Sequence, residues 1–93
     1  MNLPKIYSLE QNYPNPFNPV TEIKYGLPTD GVVSITLYNI VGQQVATILN
    51  EYKSAGYHSV TFNASGLESG VYFYRLSANE GKFIESKKML LLK

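Results

Sequence analysis

VSITLYNIVG, at residues 33–42, is the stretch from which the fold of this chain can be worked out. Its first six residues alternate, with Val33, Ile35 and Leu37 on one side and more polar residues on the other. Such alternation predicts a β-strand with one face in a core and the other face at the surface. The following residues end on Gly42, which suits a positive φ in a short hairpin connection. The stretch therefore predicts a strand, a reversal of the chain and a returning strand.

Short runs of the same kind repeat along the chain, separated by Gly, Pro and Asn at intervals of about 8 to 12 residues. That spacing favours a β-sandwich or barrel over units of alternating strand and helix. Helix is the main competitor over residues 44–52, where the β-branched Val45, Thr47 and Ile48 favour a strand instead, and Val45 is expected in the core. We predict an all-β fold of seven mostly antiparallel strands, at residues 6–10, 21–27, 33–38, 43–49, 57–62, 71–78 and 83–92.

The composition is that of one globular domain. The chain has 93 residues, which suits a single hydrophobic core. Its net charge of +1 excludes the dense basic surface of a non-specific nucleic-acid-binding protein. It has no cysteine, which excludes disulfides and thiolate metal sites. We therefore predict one domain over residues 1–93, with residues 1–5 disordered and no nucleic-acid partner.

Targeting signals are not visible in the sequence. No apolar run approaches the ~18 residues of a transmembrane helix, so we predict no direct insertion into a membrane. Residues 1–5 lack the charged and apolar regions of a signal peptide. If the domain is exported, we expect the export signal elsewhere on a longer parent chain.

Groups suited to catalysis are scarce. His58 and Asp30 are the only residues of their types, and no Gly-x-Ser-x-Gly motif is present, so a Ser-His-Asp site would need both to meet one serine. His58 alternates in phase with Val60 and Phe62, which places it on a strand against the core. The glutamates are scattered, and a single histidine is too few for a transition-metal site. We predict no catalytic residue, no metal site and no cofactor, and hence no enzyme.

A proline-rich segment follows the first predicted strand. Each proline removes a backbone N–H and pushes the preceding residue into extended geometry. The segment therefore cannot lie inside a sheet, and we predict a rigid crossover that is a structural tie first and a contact surface second. The residues assigned to this structural motif are Pro14, Asn15, Pro16, Phe17, Asn18 and Pro19.

The tyrosines leave a binding role open. Tyr72 and Tyr74 share one face of their strand, and Val71 and Phe73 share the other. One face must be core, and the remaining pair would form a surface patch. Structural packing is the favoured interpretation, with sugar stacking by exposed tyrosines as the alternative.

The final strand carries the candidate recognition residues: Lys87, Lys88, Met89, Leu90, Leu91, Leu92 and Lys93. An edge strand with free backbone groups can pair with a partner by strand addition. Alternatively, the four apolar residues are buried on both faces, and the lysines guard the edge against aggregation. The sequence leaves both interpretations open.

Five stretches, in order, resemble the C-terminal sorting domains of the type IX (Por) secretion system. They are residues 12–28, 37–45, 55–58, 67–76 and 87–93. The main departure is Phe62, where relatives often carry Trp. Within and beside these stretches we expect structural roles for Gly42, Gly56, Gly70 and Tyr72, with Gly70 permitting a tight turn into its strand.

The resemblance implies an Ig-like antiparallel β-sandwich that sorts a larger cargo protein, without catalysis, through the outer-membrane type IX translocon. Implied partners are the translocon, its shuttle or processing proteins, and N-terminal cargo domains of the parent chain. The cargo would be secreted or held at the cell surface, reached through the periplasm and the outer membrane, and the domain would be cleaved after export in many relatives. Two alternatives remain: a carbohydrate-binding accessory module, or a structural module like the Ig-like module of the flagellar hook-capping protein.

Overall fold

A computed structural model describes residues 3–93 and confirms the all-β class. Met1 and Asn2, part of the head predicted to be disordered, lie outside the described residues. The seven strands are β1 (Ser8–Leu9), β2 (Val20–Leu27), β3 (Gly31–Tyr38), β4 (Gln44–Lys53), β5 (Gly56–Asn63), β6 (Gly70–Ala78) and β7 (Phe83–Leu91). No helix long and apolar enough to cross a membrane occurs within residues 3–93.

The strands form two sheets that pack as a sandwich. One sheet has the order β1-β2-β5 and the other the order β4-β3-β6-β7, with every neighbouring pair antiparallel. At one side of the sandwich β1 lies near β7, and at the other side β4 lies near β5. This two-sheet arrangement agrees with the Ig-like sandwich that the sequence implied.

The core lies between the two sheets and follows the alternation of the sequence. Residues from β2, β3, β6 and β7 fill it, and removing each large apolar side chain from water contributes about 1.5–3 kcal/mol. The fully buried set includes Ile23, Tyr25, Leu27, Val33, Ile35, Leu37, Tyr74, Leu76, Met89 and Leu91. The predicted inward residues of β3, Val33, Ile35 and Leu37, are therefore confirmed as core residues.

Strand β4 departs from the predicted alternation. Its pairing with β3 is interrupted twice, so that Ile48 and Val45 each become an extra residue without a partner on β3. A bulge of this kind shifts the side chains that follow to the other face. Val45 is consequently 37 % exposed, and the prediction that it lies in the core is wrong; Leu49 is buried instead.

The β3–β4 hairpin closes as the sequence predicts. Gly42 has φ of 87° and donates its N–H to the carbonyl oxygen of Asn39 over 3.0 Å. The side-chain oxygen of Asn39 accepts from the N–H groups of Val41 and Gln43, at 3.1 and 3.0 Å. A left-handed backbone without a Cβ penalty explains the glycine at this position.

The N-terminal stretch is packed onto the outer face of the three-stranded sheet. Pro4 is buried, and a Cβ added to Gly26 would lie 3.3 Å from Pro4 Cγ and 2.8 Å from Ser8 Oγ. Gly26 thus permits the close approach of this stretch. Strand β1 is shorter than predicted, because only Ser8 and Leu9 pair with β2 while Ile6 is 72 % exposed.

The proline-rich segment runs from β1 to β2 along the outer edge of β7. It lies outside both sheets, as predicted, apart from single bridges to Glu22 and Leu91, and the peptide bonds before Pro14, Pro16 and Pro19 are cis. Phe17 inserts its side chain into the core and is 3 % exposed. The carbonyl oxygen of Pro19 accepts from the N–H of Ala64, so the end of the segment also holds the loop after β5.

Candidate recognition surface on the last strand

Alternation along β7 separates the candidate residues into two faces. Met89 and Leu91 point inward and are fully buried in the core. Lys88, Leu90 and Leu92 lie on the outer face of the four-stranded sheet, where Lys88 is exposed, Leu90 half-buried and Leu92 51 % exposed. The apolar run is therefore half core and half surface, which neither of the two interpretations from sequence described fully.

The two remaining lysines are held by local contacts. Lys87 is half-buried on the inward side of β7, with its Nζ 3.3 Å from Glu85 Oε2. Inward-pointing charges near the border of a sheet hinder pairing with another sheet. Lys93 donates from its backbone N to Ser69 Oγ at 2.9 Å and from its Nζ to the carbonyl oxygen of Ser65 at 2.8 Å. Both lysines therefore have partners within the domain.

The proline-rich segment occupies the outer edge of β7. Phe17 donates its N–H to the carbonyl oxygen of Leu90, and its own carbonyl accepts from the N–H of Leu92, both at 3.0 Å. Asn15 Oδ1 accepts from the N–H of Leu90 at 2.9 Å, and Gln11 Nε2 donates to the carbonyl oxygen of Lys88 at 2.6 Å. The last part of β7 therefore has no free edge for strand addition, and its outer face is the surface that it presents.

Strand β6 completes that surface. Val71 lies opposite Leu90 and Phe73 lies opposite Lys88 in the antiparallel register. Phe73 is 39 % exposed, so the pair left at the surface is Val71 with Phe73. We call this surface the β6–β7 face, defined by Val71, Phe73, Lys88, Leu90 and Leu92.

A cationic side chain borders the β6–β7 face on the side of β3. Arg75 lies over the ring of Tyr38, with the guanidinium carbon 4.8 Å from the ring centroid, and donates a hydrogen bond to the Tyr38 hydroxyl. Stacking of this kind fixes the orientation of an exposed guanidinium. Sequence reasoning missed Arg75 and Tyr38, although both follow from the period-2 alternation of their strands.

Tyr72 and Tyr74 are core residues, which removes the basis for sugar stacking on them. Tyr72 is 8 % exposed and donates its hydroxyl to the carbonyl oxygen of Glu68 at 2.7 Å, whereas Tyr74 is fully buried. Structural packing, the favoured interpretation, is confirmed for both tyrosines.

Tyr74 connects the core to the proline-rich segment. Its hydroxyl donates to the carbonyl oxygen of Glu10 at 2.7 Å and accepts from the backbone N–H of Asn12 at 2.8 Å. Burial raises the pKa of Tyr74 to about 12, since the charged phenolate would lose its hydration; the bond from Asn12 acts against this. Asn12, itself 2 % exposed, donates its side-chain amide to Thr21 Oγ1 and to the carbonyl oxygen of Pro14, at 3.0 Å each.

The single histidine and the single aspartate both hold the corner between β4 and β5. His58 Nε2 donates to the carbonyl oxygen of Ser54 at 2.7 Å, and its ring stacks on Tyr25 with centroids 5.4 Å apart. Asp30 Oδ1 accepts from the N–H of Ala55 at 2.7 Å. Within residues 3–93 no group of three or more His, Cys, Asp or Glu side chains comes together. The two residues therefore have structural bonds that explain their positions.

The glycines of the sequence blocks lie at chain reversals and strand ends. Gly56 starts β5 with φ of 147°, and Gly70 starts β6 with φ of 155°. The latter value is one that side chains rarely adopt, in agreement with the conformational role expected for Gly70.

Comparison with known families adds the identity that the geometry alone does not supply. The chain matches the family model described as the secretion system C-terminal sorting domain, over residues 11–91. The chain belongs to this family. The sorting domain is thus a C-terminal signal for type IX secretion, which takes proteins to the cell surface or the extracellular space by interaction with the type IX machinery. No curated protein matches the chain.

The matched range contains both parts of the edge described above. It starts at Gln11, whose side chain bonds to β7, and extends to Leu91 in the core. The proline-rich segment and the last strand lie far apart in sequence, but hydrogen bonds join them along one edge of the four-stranded sheet.

Proposed function

We propose that the type IX machinery recognises the folded sorting domain through the β6–β7 face, with Lys88 and Leu90 on β7 and Leu92 directly after it as contact residues. The observation that carries this proposal is the orientation of β7. Of the seven candidate residues, these three point outward beside Phe73, whereas Met89 and Leu91 serve the core.

The chemistry of the β6–β7 face suits a protein partner. Its centre is apolar and includes one aromatic ring, and protein interfaces are enriched in aromatic residues at their centre and in Arg. Lys88 and Arg75 are exposed at this face, so a matching partner carries carboxylates opposite them. We infer a shuttle or translocon component with an acidic rim around an apolar contact.

The domain itself acts without catalysis in this proposal. Its role is to present a rigid surface, and the proline-rich segment keeps that surface in place from the side. Cargo domains preceding it in the parent chain, and a protein that removes it after export, are further partners in the same proposal.

An export assay tests the β6–β7 face directly. A fluorescent protein with a periplasmic signal peptide is fused to residues 1–93 and expressed in a host with an active type IX system. Lys88→Glu reverses a charge on the β6–β7 face, and Lys24→Glu makes the same change on the exposed outer face of the other sheet. We expect periplasmic retention of the Lys88→Glu fusion and normal export of the Lys24→Glu fusion.

The export assay has a stability control and a result that would contradict the proposal. Both variants must retain the thermal stability of the parent domain, because an exposed charge change costs little stability. Equal export of the two stable variants, together with export of a Leu92→Asp fusion, contradicts recognition through the β6–β7 face.

A further inference from the structure

The sandwich has four edge strands, and three of them are protected against pairing. Strand β1 has only two residues, and β7 is covered by the proline-rich segment. Strand β4 contains two bulges and ends with a charged pair, Glu51 and Lys53, 2.7 Å apart. Short length, bulges, charges and covering segments are the known means of keeping sheet edges from pairing with other chains.

In the part of the chain that the structure describes, strand β5 has none of these protections. It pairs with β2 over all eight of its residues, from Gly56 to Asn63, without a shift in register. Its sequence, GYHSVTFN, contains no proline and no Lys, Arg, Asp or Glu. A long, regular and uncharged edge strand is a predicted pairing site.

The backbone groups available on β5 follow from the contacts on the other side of β2. Glu22 exchanges two hydrogen bonds of 2.9 Å with Tyr13, and the carbonyl oxygen of Lys24 accepts from Glu10, so these residues direct their backbone groups away from β5. Because neighbouring residues of a strand point their groups to opposite sides, Tyr25 and Ile23 bond to His58 and Val60.

The alternate residues of β5 consequently point their backbone groups to the open side. These are Tyr57, Ser59 and Thr61, and their N–H and C=O groups have no partner within residues 3–93. Their side chains lie on the outer face of the sheet and are exposed.

We propose that a second copy of this chain pairs antiparallel with β5, about a two-fold axis at Ser59. In this register Ser59 meets Ser59 of the second copy, and Tyr57 meets Thr61 of the second copy. The three facing pairs each exchange two hydrogen bonds, about six in total. The two sheets join into one continuous six-stranded sheet, β1-β2-β5 followed by the same strands of the second copy in reverse order.

The strand is complementary to itself in this register. An aromatic residue faces a β-branched one, which is a favourable cross-strand pair, and no like charges oppose each other. A two-fold interface uses the same patch on both subunits, so one such edge suffices. A single strand pair covers less than the ~800 Å² per partner of a standard interface, and we therefore expect a weak dimer.

The dimer leaves the β6–β7 face uncovered. Strand β5 lies at the opposite end of the sandwich from β7, in the other sheet. Loss of dimerisation and loss of export therefore report on different surfaces, and either proposal can fail alone.

Sedimentation equilibrium tests the dimer up to about 1 mM protein, a range set by the small interface. We expect the apparent mass to rise with concentration from 10.4 kDa towards twice that value. Ser59→Pro removes an outward N–H, which an edge strand tolerates, and Thr61→Lys places a charge beside Tyr57 of the second copy. Both should hold the mass at 10.4 kDa.

The matched control is Thr47→Lys on β4, the bulged edge strand at the same side of the sandwich, which should dimerise like the parent domain. Amide resonances of Tyr57, Ser59 and Thr61 should shift with concentration, whereas those of β4 should not. A parent domain that stays monomeric at the highest concentration overturns the proposal. So does a dimer that persists in Ser59→Pro and Thr61→Lys, since it must use another surface or another class of contact.

Discussion

The two sides of the sandwich differ in how the backbone of the edge strand and the hydroxyl of a buried tyrosine find hydrogen-bond partners. At the β1–β7 side, the proline-rich segment satisfies the backbone of β7 and the buried Tyr74 hydroxyl makes two hydrogen bonds. At the β4–β5 side, the backbone of β5 is open and the buried Tyr25 hydroxyl has no partner within residues 3–93. The backbone groups of the edge strand and the buried tyrosine hydroxyl are therefore hydrogen-bonded on the side of β7, the strand that carries the candidate recognition residues.

The difference indicates which side has to stay rigid. A recognition surface made of outward side chains requires its strand to remain in one register and one twist. The hydrogen bonds from Gln11, Asn15 and Phe17 hold the last part of β7 from outside the sheet. Within residues 3–93, no such hydrogen bond reaches the outer edge of β5.

Removing the anchor of the proline-rich segment should have the largest effect. Phe17→Ala deletes a buried ring and should lower the free energy of unfolding by about 3–5 kcal/mol. Chemical denaturation monitored by far-UV circular dichroism measures the change. Tyr13→Ala, directly before the segment and 81 % exposed, is the control and should change stability by less than about 0.5 kcal/mol. Equal effects of the two substitutions would mean that the segment does not anchor the edge.

The Tyr74 hydroxyl should have the next largest effect. Tyr74→Phe leaves the N–H of Asn12 and the carbonyl oxygen of Glu10 without their partner, inside the protein. A buried group that loses its hydrogen bond costs about 1–3 kcal/mol, and we expect a loss of that size in the free energy of unfolding. Hydrogen exchange at Asn12 gives a local readout, which should accelerate more than exchange in β3. A stability equal to that of the parent domain would contradict the bridging role.

Alkaline pH should lower the free energy of unfolding through the same tyrosine, Tyr74. The pKa of Tyr74 is raised from 10.0 to about 12 in the folded domain, so the unfolded chain releases this proton first. The stability that the folded domain gains from the neutral Tyr74 hydroxyl is fully present below pH 10 and is lost as the pH rises towards 12. The parent domain should therefore lose stability between these values more steeply than Tyr74→Phe, as measured by denaturant titrations at several pH values. Identical slopes for the two proteins would contradict the assignment.

The sequence predicted burial correctly where a strand keeps a regular two-residue alternation. It did not predict features that depend on a bulge or on contacts between distant parts of the chain. Alternation identified the inward face of β3, because the hydrophobic effect requires one buried face for such a strand, and on β6 the favoured tyrosine face is the buried one. It failed at Val45, since a bulge changes the phase without a mark in composition. Extended to β7, the same alternation separates Met89 and Leu91 from Lys88, Leu90 and Leu92. The covering of β7 by residues 11–17 could not be predicted, because its partners lie more than 70 residues apart in the chain.

Substitution of Tyr25 should have the smallest effect on stability. It tests directly whether the buried hydroxyls of Tyr25 and Tyr74 differ in their hydrogen bonding. Its hydroxyl is buried and has no hydrogen-bond partner within residues 3–93, and burial is the main cause that raises its pKa. Removing an unpaired polar group from the interior costs no hydrogen bond and releases its desolvation penalty. Tyr25→Phe should therefore leave the free energy of unfolding unchanged or raise it by up to about 1 kcal/mol. Because the ring stays in place, the stacking on His58 and the β5 edge are retained. A loss as large as that of Tyr74→Phe would show that the β4–β5 side is satisfied as fully as the β1–β7 side, and the contrast between them would fail.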